Sequence, residues 1–212
     1  MMRFRQIDKA LTDLLIANEN GRYHVETSQR RSFNAEYVAA HPIVSVFYEQ
    51  GQFSKAAGGP LIAQHDMTFK IEVLVAAPAT ADLTVLDNPG ASAQAIMAAV
   101  AASTSAAVNA DDLIDEVLDY IYQVIRDPDN YDLGLPVGTV SNPWVGSFTK
   151  SSPVPRGEYV VVMVAWSYTC RAAEITAGAT PVPVVVIDTS IEETADQSGS
   201  QYDSALQGAE VQ

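Results

Sequence analysis

The chain has 212 residues, just under half of them apolar, and a formal net charge of −14 at pH 7. That length suffices for one sizeable core with room for a second small domain, and the composition excludes a chain that is disordered throughout. No run of about 18 consecutive apolar residues occurs, which argues against a membrane span. The acidic balance argues against direct binding of nucleic-acid phosphates, while remaining compatible with an acidic channel through which DNA slides.

The first residues do not read as a secretory signal, because Asp8, Lys9 and Asp13 interrupt their apolar positions. Cys170 stands alone, so no intrachain disulfide forms; at the end of an apolar run it is expected to be a small core residue, and a cytosolic setting fits. His24, His41 and His65 lie in separate segments without metal-ligand spacing and are expected at the surface or in turns. The charge is uneven. Arg3, Arg5, Lys9, Arg22, Arg30 and Arg31 fall within the first forty positions, whereas the last segment carries Asp188, Glu192, Glu193, Asp196, Asp203 and Glu210 with no basic residue.

Residues 4–17 predict an amphipathic helix with Phe4, Ile7, Leu11, Leu14 and Leu15 on one face. Asn18-Glu19-Asn20-Gly21 ends it with residues that tolerate a left-handed backbone. Residues 22–40 are mixed and polar and read as a loop. After His41-Pro42, the β-branched and aromatic run Ile43–Tyr48 predicts a strand. Gly51 to Pro60, with Gly58 and Gly59, reads as a hairpin tip, and Phe69, Ile71, Val73 and Val75 alternate with polar residues in the returning strand.

Residues 77–110 are punctuated by Pro78, Pro89 and Gly90 and then become alanine-rich. They read either as a core helix anchored by Ile96, Met97 and Val100 or as a poorly anchored insertion. Asn109 is the expected N-cap of the next helix, 111–126, with acidic residues in its first turn and Asp127-Pro128 at its end. Leu113, Ile114, Val117, Leu118, Ile121, Val124 and Ile125 share one arc of that helix and Asp112, Asp115, Glu116 and Asp119 the other. Trp144–Lys150 predicts a short strand. The run 159–170 predicts a long one, central or covered on both sides because both of its faces begin apolar. Val184–Ile187 could add an edge strand, and the acidic stretch after 190 is expected to be a flexible tail. The fold expectation is therefore α/β (α+β): a mixed, mainly antiparallel sheet with an N-terminal helix and a central amphipathic helix packed on it. Residues 1–176 form the domain, 77–110 is an alanine-rich insertion, and 177–212 is a C-terminal extension.

No catalytic or metal-binding motif stands out. Asp127 to Asp132 resembles a calcium loop only superficially, since the glycine position is Asp132 and the final glutamate position is Gly138. Gly58-Gly59-Pro60 lacks the following Lys-Ser/Thr of a phosphate-binding loop. Two groups remain as candidates for assembly contacts. The carboxylates Asp112, Asp115, Glu116 and Asp119 form a solvated or intersubunit face. At the expected hairpin tip, Gln50 to Lys55, Phe53 either folds back on its own sheet or anchors a neighbouring subunit or another component of the assembly such as a tube, with Gln52 and Lys55 beside it.

The order of these elements resembles that of phage tail terminator proteins. The resemblance lies in the leading helix Ile7–Leu15, the hairpin ending in His65–Val73, the helix Leu113–Ile125, and the strand pair Trp144–Lys150 and Glu158–Thr169. It implies a structural, non-enzymatic virion protein without cofactor or metal, assembled in the host cytoplasm and located at the tail or neck. Such a subunit forms a ring, commonly a hexamer, that caps the tail tube, stops its polymerisation and offers a surface to the head connector. DNA passes through the lumen without specific binding, and no membrane is involved. The alternatives are another neck or head-completion protein, or a small-molecule-binding or enzymatic α+β domain.

Overall fold

A computed structural model of the chain describes residues 3–27, 33–55 and 62–175. Arg30, Arg31, the Gly58-Gly59-Pro60 turn and the whole extension 177–212, with its expected edge strand and tail, lie outside the described residues.

The order is helix α1 (Arg3–Ala17), strand β1 (His24–Val25), helix α2 (Ala35–Ala40), strands β2 (Ile43–Lys55) and β3 (Ile62–Pro78), helix α3 (Ala93–Arg126), and strands β4 (Ser141–Lys150), β5 (Val154–Arg156) and β6 (Tyr159–Ile175). The fold is mixed α+β, as expected. The strands form one sheet in the order β1-β2-β3-β6-β4, with β5 also on β6; β1 joins β2 in parallel and every other pairing is antiparallel. The 22–40 segment is thus not all loop. It contains β1, and α2 with Asn34 as its N-cap, the Asn34 side chain accepting from the Glu36 amide.

β3 and β6 pair without interruption from Ile62 opposite Ile175 to Pro78 opposite Tyr159. Because side chains alternate across a strand, this register puts Met67, Phe69, Ile71, Val73 and Val75 beside Cys170, Tyr168, Trp166, Val164 and Val162 on one face, where all are buried. α1 covers that face with Ile7, Leu11 and Leu15. After α1 ends at Ala17 the chain turns at Asn20 and Gly21, both at positive φ (43° and 71°), a conformation these two residues adopt most readily.

α3 covers the rest, and here two expectations change. The helix is continuous from an N-cap at Ser92, whose hydroxyl accepts from the Ala95 amide, so Asn109 is an interior residue and not a cap. The alanine-rich run is the first half of this helix, not a loose insertion. It packs through Ala99, Ala102, Ala106 and Ala110, while Ile96, Met97 and Val100 are exposed, Met97 at 73%. The small residues continue the stripe of Ile114, Val117, Ile121 and Val124 at helical spacing. Without bulk, they let the backbone lie close to the sheet. By length and composition alone α3 could cross a membrane, yet its buried stripe gives it the position of a core helix.

The other face of β6 is not covered along its length. Only its start is: α2 places Val38 against Ile43 and Ala76, with Leu74, Tyr159 and Val161 partly buried around them. Beyond Val161 this face carries Lys70, Glu72, Ser167, Thr169 and Arg171 and is open. β6 is central, with β3 on one side and β4 and β5 on the other, but it is half-buried rather than sandwiched.

The close seating of α3 generates a prediction. Ala106→Leu should lower stability by about 1–3 kcal/mol, as overpacking of a filled core does. Met97→Ser, on the exposed face, should stay within ~0.5 kcal/mol of the parent in a denaturant titration. Equal midpoints for the two variants would place the helix on the wrong face.

Candidate functional site: an aromatic edge between α3 and β4

β4 is the last strand of the sheet and pairs only with β6 among the described residues. Its register shifts twice, between Ser141 and Trp144 and between Val145 and Phe148. Such bulges bend an edge strand and re-aim its side chains. Phe148 ends up opposite Trp166 and 64% exposed. Together with α3 it frames a groove of about 480 Å³ lined by Asp115, Leu118, Asp119, Tyr122, Val145, Gly146, Phe148 and Trp166. Trp166 is almost fully buried and forms the floor, with Tyr122 stacked on it at 6.0 Å between centroids and 22° between planes.

A second hollow of about 260 Å³ follows along the same seam beyond Val145, bordered by Arg126, Asp127, Tyr131, Pro143 and Trp144. Trp144 is 60% exposed and Tyr131 about half. One edge of the molecule thus displays Phe148, Tyr122, Trp144 and Tyr131 in succession. Aromatic side chains left in water at this density mark a contact surface, because each would bury a large apolar area on association.

The carboxylates of α3 divide between two sides of the helix. Asp115 and Asp119 form the rim of the larger groove. Lys150 spans Asp111 at 3.0 Å and Asp115 at 3.4 Å. Partial burial disfavours its charge, but the hydrogen bond to Asp111 and the Asp115 charge outweigh this and hold its pKa above the ordinary lysine value. Asp119 pairs with no cation among the described residues. Glu116 points the other way, to Arg22 at 3.4 Å, and the Arg22 guanidinium also lies over the Tyr120 ring. Asp112 is simply exposed.

The Gln50–Lys55 group is not a hairpin tip. These residues are paired strand, Gly51 opposite Met67 and Phe53 opposite His65, and the tip that follows lies outside the described residues, as does the side chain of Lys55. Gln52 is opposite Asp66 on the open face. A bulge between Tyr48 and Gln50 changes which residues face the core: Val44, Val46 and Tyr48 before it, Gly51 and Phe53 after it.

The bulge assembles a buried cluster that the sequence reading missed. His65, expected at the surface, is 1% exposed. The Phe53 ring stacks on it at 4.0 Å, its Nε2 lies 3.3 Å from the Tyr48 hydroxyl, and its Nδ1 lies 3.4 Å from Glu174 Oε1. The same Glu174 oxygen accepts from the Arg3 backbone N–H at 2.8 Å, so the start of α1, the β2–β3 arm and the end of β6 are fastened together. Phe53 therefore lies back on its own sheet while remaining half-exposed. The clue in the sequence was parity, since His65 and Met67 extend the Phe69-Ile71-Val73 series inward.

On the open face, Arg171 donates from Nε to Asp66 Oδ1 at 2.6 Å and from Nη2 to Oδ2 at 3.3 Å, beside a groove of about 570 Å³ lined by Gln50, Gln52, Thr68 and Asn142. Among the described residues no group of three His, Cys, Asp or Glu side chains is placed to hold a metal ion.

Two outcomes follow. A Cβ at Gly51 would collide with the Tyr48 hydroxyl and His65 Nε2, so Gly51→Ala should cost about 1–3 kcal/mol. Gly90→Ala, where the added carbon meets only ordinary contact, should melt with the parent. Burial, aided by the Asp66 charge, pushes the Cys170 thiol up to about 12, so at pH 8 it stays protonated. Iodoacetamide should label Cys170 only after denaturation; rapid labelling of the native chain would contradict the buried placement. Scanned against known families the sequence matches none, and no curated protein is similar to it.

Proposed function

We propose that this chain is a ring-forming structural subunit of a phage tail, the terminator that caps the tail tube, stops its polymerisation and meets the head connector. The observation that carries the reading is the aromatic edge between α3 and β4, a surface suited to a protein partner. The opposite side of the sheet supports it, because β1 pairs only with Ile43 and Val44 and leaves the rest of β2 without a strand on its outer side among the described residues. A subunit with two different edges associates head to tail, and a head-to-tail contact closes into a ring when the rotation per subunit divides a full turn. The leading helix, the β2–β3 hairpin, the α3 helix and the β4–β6 pair follow the order of the family's elements. A strongly acidic subunit also suits a lumen that lets DNA pass, since it repels phosphate.

Native mass and electron micrographs of the purified protein test this reading, and a discrete closed ring of several subunits is expected. The double variant Trp144→Ser/Phe148→Ser should keep the parent's melting curve but lose the ring and fail to limit tube length in tail assembly. A parent that remains monomeric at all concentrations, or a variant that assembles and caps as the parent does, would overturn the assignment.

A further inference from the structure

The subunit's own charges suggest what fills the acidic aromatic groove. Asp115 and Asp119 are one helical turn apart on α3, both exposed, and their side chains form the rim above Tyr122, Trp166 and Phe148. In a head-to-tail ring this edge meets the opposite side of the next copy, where α1 packs mainly on β1 and β2 while its first turn reaches the end of β6. α1 carries Arg5 and Lys9, also one turn apart and both exposed. The two pairs match in spacing, about 6 Å along each helix axis, and are opposite in sign.

Of the remaining cations with described side chains, Arg3 donates to its helix neighbour Gln6, Lys150 bridges Asp111 and Asp115, and the others are engaged or misplaced. Arg22 is held by Glu116 and Tyr120, Lys70 pairs with Glu72, and Arg171 pairs with Asp66. Arg126 and Arg156 belong to the same side of the molecule as the groove itself. Arg5 makes no ion pair among the described residues and only lies over its neighbour Phe4, at 5.8 Å from the ring centroid. Lys9 is tied to Asp13 by an exposed pair of the kind that contributes little and exchanges readily, and Asp115, itself exposed, shares the partly buried Lys150 with Asp111.

We infer that the groove between α3 and β4 receives α1 of a second copy of this chain, with Arg5 and Lys9 seated on Asp115 and Asp119 and the lysine and arginine stems lying against Tyr122 and Phe148. The aromatic faces then serve both as apolar floor and as partners for the cationic groups. This contact gives a chain of net charge −14 a local attraction that outweighs its general self-repulsion, and it sets the direction of the ring. It rests on the ring reading and goes further by naming both surfaces of the joint.

Charge exchange between copies tests it. Arg5→Glu/Lys9→Glu and Asp115→Lys/Asp119→Lys should each melt with the parent yet assemble about a hundredfold more weakly, because each places like charges face to face across the joint. An equimolar mixture of the two should assemble again, and only as an even-numbered ring in which the variants alternate. If either reversal destabilises the fold, the neutral pairs Arg5→Gln/Lys9→Gln and Asp115→Asn/Asp119→Asn take its place, with about tenfold weakening expected. A parent ring unaffected by reversal, or a mixture that stays monomeric, overturns the contact and leaves the ring reading standing. A parent that forms no ring overturns both.

Discussion

The ladder between β3 and β6 decides where every other part of the molecule can go. Seventeen residues of each strand pair without a shift, so a single choice of register settles which side of both strands faces inward along their whole length. A slip of β6 by one residue against β3 would send Val162, Val164, Trp166 and Tyr168 into water together, a loss that no local rearrangement could offset. α3 depends on the same ladder. At 34 residues it is roughly 50 Å long, close to the roughly 55 Å span of strands of this length. It needs a buried face over most of that distance. The chain supplies it with alanines in the first half and branched aliphatics in the second.

The departures from this regularity are where the chain acquires its particular features. One bulge in β2 reverses the facing of Gly51 and Phe53 and lets His65 close against Tyr48 and Glu174 instead of leaving a void at the end of the core. Two shifts in β4 turn Phe148 towards α3 and leave Trp144 exposed next to Pro143. In both places a residue type that periodicity would assign to the core lies partly in water, and in both an edge strand is made a poor template for unselective pairing.

Sequence patterning revealed the elements whose signals are redundant. α1 and the 111–126 half of α3 have apolar arcs, polar arcs and stop residues that agree, and the alternation in 68–75 fixed the core face of β3. The 22–40 segment hid β1 and α2 because a two-residue parallel strand and a six-residue helix are too short to show a period; tertiary contacts, not propensity, hold them. The 93–110 run was ambiguous for another reason. Its large residues, Ile96, Met97 and Val100, suggest one face, but the buried face is the other one, made of Ala99, Ala102, Ala106 and Ala110. His65 was misplaced by averaging over its residue type, whereas its position in the alternation put it inside. Of the candidate site, Asp115 and Asp119 were legible as an acidic face. The aromatic half was not, since Tyr122 lies 22 to 26 positions from Trp144 and Phe148 and only the β4 shifts bring Phe148 to it.

In the proposed ring, that acidic face would reconcile strong self-repulsion with assembly. A net charge of −14 keeps subunits apart at a distance, and screening shortens this repulsion to about a Debye length, ~8 Å at physiological salt. Within that distance the local arrangement dominates. The described cations are not scattered to neutralise the surface. Arg22, Lys70, Lys150 and Arg171 are spent on internal pairs, while Arg5 on α1, Arg126 beside the smaller hollow and Arg156 on β5 are in no ion pair among the described residues. Under the proposed joint, like charges would disfavour side-to-side and face-to-face approaches of the described surface, and the head-to-tail contact would bring opposite charges together over an apolar floor.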